Sequence, residues 1–172
     1  MIPNERNDVL RRLDHMAHER AFGRYIAADQ LIQTGLDALL AGVDSPSLAM
    51  LAGLGRNEER EAPELFDQVL VELGLFVETP TDPRAVKWAE TYWIAGRIAD
   101  GSLDPYNGVH QLRWSLVDEL GHPNDLMSLI HCGDDLETWD ENWGISQETL
   151  EQEVVLAAAD FLRKRPPGER TD

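Results

Sequence analysis

Cysteine, lysine and long apolar runs are nearly missing from this sequence, and each shortage narrows what the chain can be. Cys132 is its only cysteine, so one chain can build neither an internal disulfide nor a thiolate metal cluster, in keeping with a reducing compartment. The opening Met1-Ile2-Pro3-Asn4-Glu5-Arg6 holds no apolar run of signal-peptide length. No later stretch approaches the roughly 20 apolar residues of a membrane span. A cytoplasmic location is expected. Lysine and arginine together number 15 against 32 aspartates and glutamates. The net charge of −17 disfavours nucleic acid and anionic membranes as partners, because affinity for phosphate rests on Lys and Arg. A glycine-rich phosphate loop, a GxSxG elbow and a Cys/His zinc pattern are all missing. No cofactor is implied.

What the chain does have is helix signals from end to end. A hydrophobic fraction of 42% over 172 residues is that of an ordinary folded domain with one core. Asn4 caps a first segment, Glu5 to Arg20, with Val9, Leu10, Leu13 and Met16 along one side. A second, Phe22 to Leu40, places Ile32, Leu36, Leu39 and Leu40 at helical spacing. Asp44-Ser45-Pro46, Asp82-Pro83 and Asp104-Pro105 each read as a cap followed by proline in the first turn. The last of these opens a helix with Val109, Leu112, Leu116 and Leu120 on its apolar side. A shorter helix carries Leu126, Leu129 and Ile130 towards a stop at Gly133, and the acidic stretch from Gly133 to Gly144 reads as a loop. Ser146 caps a final helix bearing Leu150, Val154, Ala157, Ala158 and Phe161. The fold class is therefore all-α, a compact bundle of about six or seven helices joined by short loops. Residues 1–165 are expected to form a single domain and 166–172 a frayed C-terminal tail.

Catalytic and metal-binding readings are thin. His15 and His18, three residues apart beside Asp14 and Glu19, could share a metal, but two ligands do not make a site and a solvated helix face explains them. His131-Cys132-Gly133-Asp134-Asp135 has the residue types of a nucleophile and base; a lone Cys ending an apolar helix is more simply a small buried hydrophobe. The acids near Asp134 lack the alternating ligands and closing glutamate of a helix-loop-helix calcium site. An enzyme or ligand-binding alternative would use a cleft lined by Trp88, Trp93, Tyr106 or Trp114, with His110 or His131 as acid or base.

The charge distribution is the most informative feature. From Trp114 through Leu162 there are twelve acidic residues and no Lys or Arg. Such a block either meets basic residues from elsewhere, such as Arg11, Arg12, Arg20 and Arg24, or faces outward. Facing outward, Asp134, Asp135, Glu137, Asp140 and Glu141 with Trp139 and Trp143 have the make-up of a surface for a basic protein: aromatic anchors in a field that attracts cations. The plainer reading is solubility, with both tryptophans plugging the core.

Ala28-Asp29-Gln30-Leu31-Ile32, Asp44 through Leu54, and Glu64-Leu65-Phe66 through Leu75 resemble a group of small uncharacterised bacterial helical proteins, and the similarity extends through Gly101-Ser102-Leu103-Asp104-Pro105. The resemblance implies an architecture and no activity. In general character the chain is also similar to immunity proteins that neutralise basic toxins. The function expected is thus that of an acidic cytoplasmic protein engaging a basic partner, a toxin in the most concrete version. A small enzyme and a structural homo-oligomer are the alternatives.

Overall fold

Helix boundaries follow local chemistry wherever a side chain can cap its own backbone. Asp82 accepts a hydrogen bond from the Ala85 N–H at 3.0 Å, Asp104 from Asn107 at 3.0 Å, and the Ser146 hydroxyl from Thr149 at 3.1 Å. Each satisfies an otherwise orphaned first-turn donor. The computed structural model describes residues 3–165. Among them lie eight α-helices and no strand: α1 (Pro3–Ala21), α2 (Ala28–Leu40), α3 (Leu48–Ala52), α4 (Ala62–Glu72), α5 (Pro83–Ala99), α6 (Pro105–Leu112), α7 (Asn124–Glu137) and α8 (Gln147–Arg163). The all-α expectation holds, and the helices are slightly more numerous than six or seven. The expected frayed tail, 166–172, lies outside the described residues. No described helix is long and apolar enough to cross a membrane.

The chain divides into two compact units, Met1–Thr79 and Pro80–Asp172. Each has its own hydrophobic core where the sequence predicts one. In the first unit, Leu13, Leu31, Leu48, Leu51, Phe66 and Val69 are fully buried between α1, α2, α3 and α4. Arg20 clamps Asp67 through Nε at 2.9 Å and Nη2 at 2.8 Å while its guanidinium lies 6.0 Å from the Phe66 ring centre. Asp44-Ser45-Pro46 does not open α3. Ser47 is the boundary residue, and Glu72 from the end of α4 takes over the capping role. The Ser45 hydroxyl donates to Glu72, as do the Ser47 hydroxyl at 2.6 Å and the Ser47 N–H at 3.0 Å. These donors, Ser45 foremost, hold the Glu72 carboxyl below its ordinary range. The second helix begins at Ala28 rather than Phe22 because Gly23 takes φ +81°, a left-handed turn that breaks the run.

In the second unit Ile94, Ile98, Leu112, Leu116, Leu126, Leu129, Val154 and Ala158 form the core, and the four residues read from the spacing of α6, Val109, Leu112, Leu116 and Leu120, are all buried. Tyr92 is stacked between Trp88 at 5.7 Å and Phe161 at 5.3 Å, and the Arg165 guanidinium lies 4.3 Å from its centre. The largest local correction falls on α7. It does not stop at Gly133 but continues to Glu137. Gly133 is buried against α6: a Cβ placed there would come within 2.2 Å of Val109 Cγ1 and 2.8 Å of Val109 Cβ. Glycine here serves close packing of two helices.

Gly133→Ala is expected to destabilise the protein by about 1–3 kcal/mol despite alanine's better helix propensity, because stiff Val109 cannot yield. Gly96→Ala in α5, where an added Cβ meets nothing within 4 Å, is expected to stabilise by about 0.5–1 kcal/mol. Urea denaturation of both variants checks the contrast.

Candidate functional site

The last turn of α7 carries Asp134, Asp135 and Glu137. The chain then leaves the helix as Thr138 returns its N–H at 3.0 Å and its hydroxyl at 2.9 Å to the Asp134 carbonyl. Asp140 next organises a short 3-10 turn, Glu141–Trp143, accepting from the Asn142 N–H at 2.8 Å and from its side-chain amide at 2.6 Å. Trp139 donates its indole N–H to the Ile145 carbonyl at 2.7 Å and packs half-buried on the core. Trp143 stays 48% exposed. The two tryptophans therefore split the alternatives drawn from sequence: Trp139 pins the loop inward and Trp143 presents its ring. Every residue from 140 to 149 is exposed.

Charge on this face is only partly balanced. Arg113 of the turn following α6 forms an ion pair with Asp134 and reaches Glu137 at 2.8 Å. Lys87 meets Glu119 at 3.3 Å; Lys164, then Arg163, hold Asp160 below its ordinary pKa. No basic side chain among the described residues pairs with Asp135, Asp140, Glu141, Glu148, Glu151 or Glu153. Arg11, Arg12 and Arg20 are engaged by Asp8, Asp37 and Asp67 within their own unit. Residues 80–172 as a whole carry eighteen acidic against eight basic side chains.

The other candidates fall into two groups. Burial, then the carboxylates of Glu153 and Asp135, push the Cys132 thiol above its ordinary range, which suits an unreactive side chain rather than a nucleophile. His131 beside it is exposed. Among the described residues no three His, Cys, Asp or Glu side chains gather as a metal site. Trp88 and Trp93 pack on the core, the latter under Arg97 at 4.9 Å, whereas Tyr106 and Trp114 stand exposed on another helix. His15 faces Glu19 at 3.3 Å, and His18 contacts the Asp14 carbonyl at 2.8 Å. His15 and Glu19 also line a half-open cleft of about 390 Å³ between α1 and α2, with Arg12, Tyr25, Gln30 and Gln33. Sequence reasoning misses this cleft, since its walls come from two helices.

Sequence reasoning also misses that Tyr106, His110 and Trp114 recur every fourth residue along α6 and the π-helical turn Arg113–Val117. Their rings form a ladder with centres 6.2 and 5.9 Å apart. The spacing is legible in the sequence. Compared with models of known families, with curated proteins and with solved structures, the chain matches none.

Because a raised thiol pKa leaves less thiolate at a given pH, Cys132 is expected to react with iodoacetamide several-fold more slowly at pH 8 than an unstructured cysteine peptide. Removing the nearby charges with Asp135→Asn and Glu153→Gln should accelerate it. Alkylation followed by mass spectrometry reads both.

Proposed function

We propose that this is an acidic cytoplasmic binding protein whose face from Asp134 to Glu153 engages a basic protein, and that neutralising a toxin is the most concrete form of that role. One observation carries the reading: between Asp135 and Glu153 six carboxylates have no cationic partner among the described residues, and the loop in the middle of that stretch, tied down by Trp139, carries the exposed Trp143. Uncompensated negative potential of this kind attracts and orients a cationic partner and costs the isolated chain some self-repulsion. On binding, Asp135, Glu141 and Glu148 pair with the partner's Arg and Lys, and Trp143 fills a pocket on it. Asp134 and Glu137 already hold Arg113 and contribute mainly by fixing the face.

A triple charge reversal, Asp135→Lys, Glu141→Lys and Glu148→Lys, spares the Arg113 pairs. With the tagged full chain as bait in its own cells' lysate at low salt, a cationic protein is expected to be retained by the parent chain. It should be lost both with the triple variant and at ~0.5 M salt, where the Debye length falls to about 4 Å. Retention unaffected by both changes would sink the proposal.

The α1–α2 cleft favours a second reading, a small-ligand domain in which His15, oriented by Glu19, and the amides of Gln30 and Gln33 contact a polar molecule. A metabolite that raises the melting temperature of the parent chain but not of His15→Ala or Gln33→Ala would support it.

A further inference from the structure

Trp114 is 73% exposed and Tyr106 42%, large aromatic surface that a folded helix ordinarily turns inward. With His110 between them they form one stripe along α6. The stripe ends in a π-helical turn, a rare geometry that recurs at functional sites. Asp118, four residues beyond Trp114, is 88% exposed at its side chain and 3.0 Å from His122 Nε2, while Asp134 and Glu137 are taken up by Arg113, the residue before Trp114. Elsewhere in the chain three aromatic faces are covered by arginine: Trp93 by Arg97, Tyr92 by Arg165 and Phe66 by Arg20. Among the described residues no cation covers Tyr106 or Trp114.

We infer that the Tyr106–His110–Trp114 ladder is an arginine-reading strip, and that the protein segment it takes presents guanidinium groups about 6 Å apart to rings that run towards the exposed Asp118 carboxylate in an acidic unit. This rests on the acidic-face reading above and names the partner's chemistry. Guanidinium is planar and weakly hydrated, so it lies flat on an aromatic face while an adjacent carboxylate takes its N–H groups; an ammonium is compact, strongly hydrated and keeps more of its water. The repeat of the rings matches arginines four apart on a helix, at 1.5 Å rise per residue, or two apart on an extended chain, at roughly 3.3 Å. Acids alone attract lysine and arginine alike. The ladder supplies the preference.

The test uses two fluorescein-labelled peptides, octa-arginine and octa-lysine, titrated by anisotropy into the full chain, into Tyr106→Ala/Trp114→Ala, and into Asp135→Lys/Glu141→Lys/Glu148→Lys. The parent chain is expected to bind octa-arginine about 5- to 10-fold more tightly than octa-lysine. The double variant should bring octa-arginine down to the octa-lysine affinity while leaving octa-lysine within about twofold, since both replaced rings are exposed and only the guanidinium preference goes with them. Equal affinity of the parent chain for the two peptides, or an arginine preference that survives the double variant, overturns the ladder while leaving the acidic face standing. Failure of the parent chain to bind either peptide overturns both. Matching urea midpoints for the parent chain and the double variant confirm that folding is not what changed.

Discussion

The approach of α7 to α6 at Gly133 and Val109 governs the whole acidic face, because it sets how far apart the charges of the two helices stand. With the backbones this close, Arg113 reaches across to Asp134 and Glu137. That pairing quiets the inner edge of the acidic cluster and holds the last turn of α7 in helical form. From there to Leu162 the sequence has no Lys or Arg, and the loop after the helix is tied down by the indole of Trp139 on the Ile145 carbonyl. One tight helix crossing thus separates carboxylates that maintain the fold from carboxylates available to others.

The same division appears along the rest of the chain. Arginines of the first unit are spent locally, Arg20 in a two-pronged clamp on Asp67 that spans two helices. Glu72 receives three hydroxyl and backbone donors from the start of α3. Since its folded pKa is depressed, the stability it gives is present above the ordinary carboxyl pKa and is lost as pH falls through the folded value. These acids are structural. Among the described residues Asp135, Glu141, Glu148, Glu151 and Glu153 have no comparable donors, so their mutual repulsion is a cost to the isolated chain.

Much of the helical framework was legible because its signals are local. Asp82-Pro83, Asp104-Pro105 and Ser146 mark helix starts through bonds spanning three residues, and the period of Val109, Leu112, Leu116 and Leu120 identified a buried stripe correctly. The errors share a cause. Gly133 looks like a stop until Val109, twenty-four positions away, is placed against it, and Asp44-Ser45-Pro46 looks like a cap until Glu72 arrives from another helix. Periodicity also tells which residues are buried but not with which others, so two cores read as one. For the candidate face, the acid excess and Trp143 were visible in the sequence, whereas the inward role of Trp139 and the engagement of Asp134 and Glu137 by Arg113 required the fold.

Trp139 carries a consequence for the energetics of recognition. By fastening the loop to its own return strand of backbone, it surrenders that segment's conformational entropy during folding rather than at the moment of encounter. If a protein docks at Trp143 as proposed, it meets a turn already in its final shape, so little of the interaction energy is diverted into ordering it. Complexes formed on such pre-set surfaces gain mainly in lifetime, and here persistence would come from rigidity more than from the number of contacts.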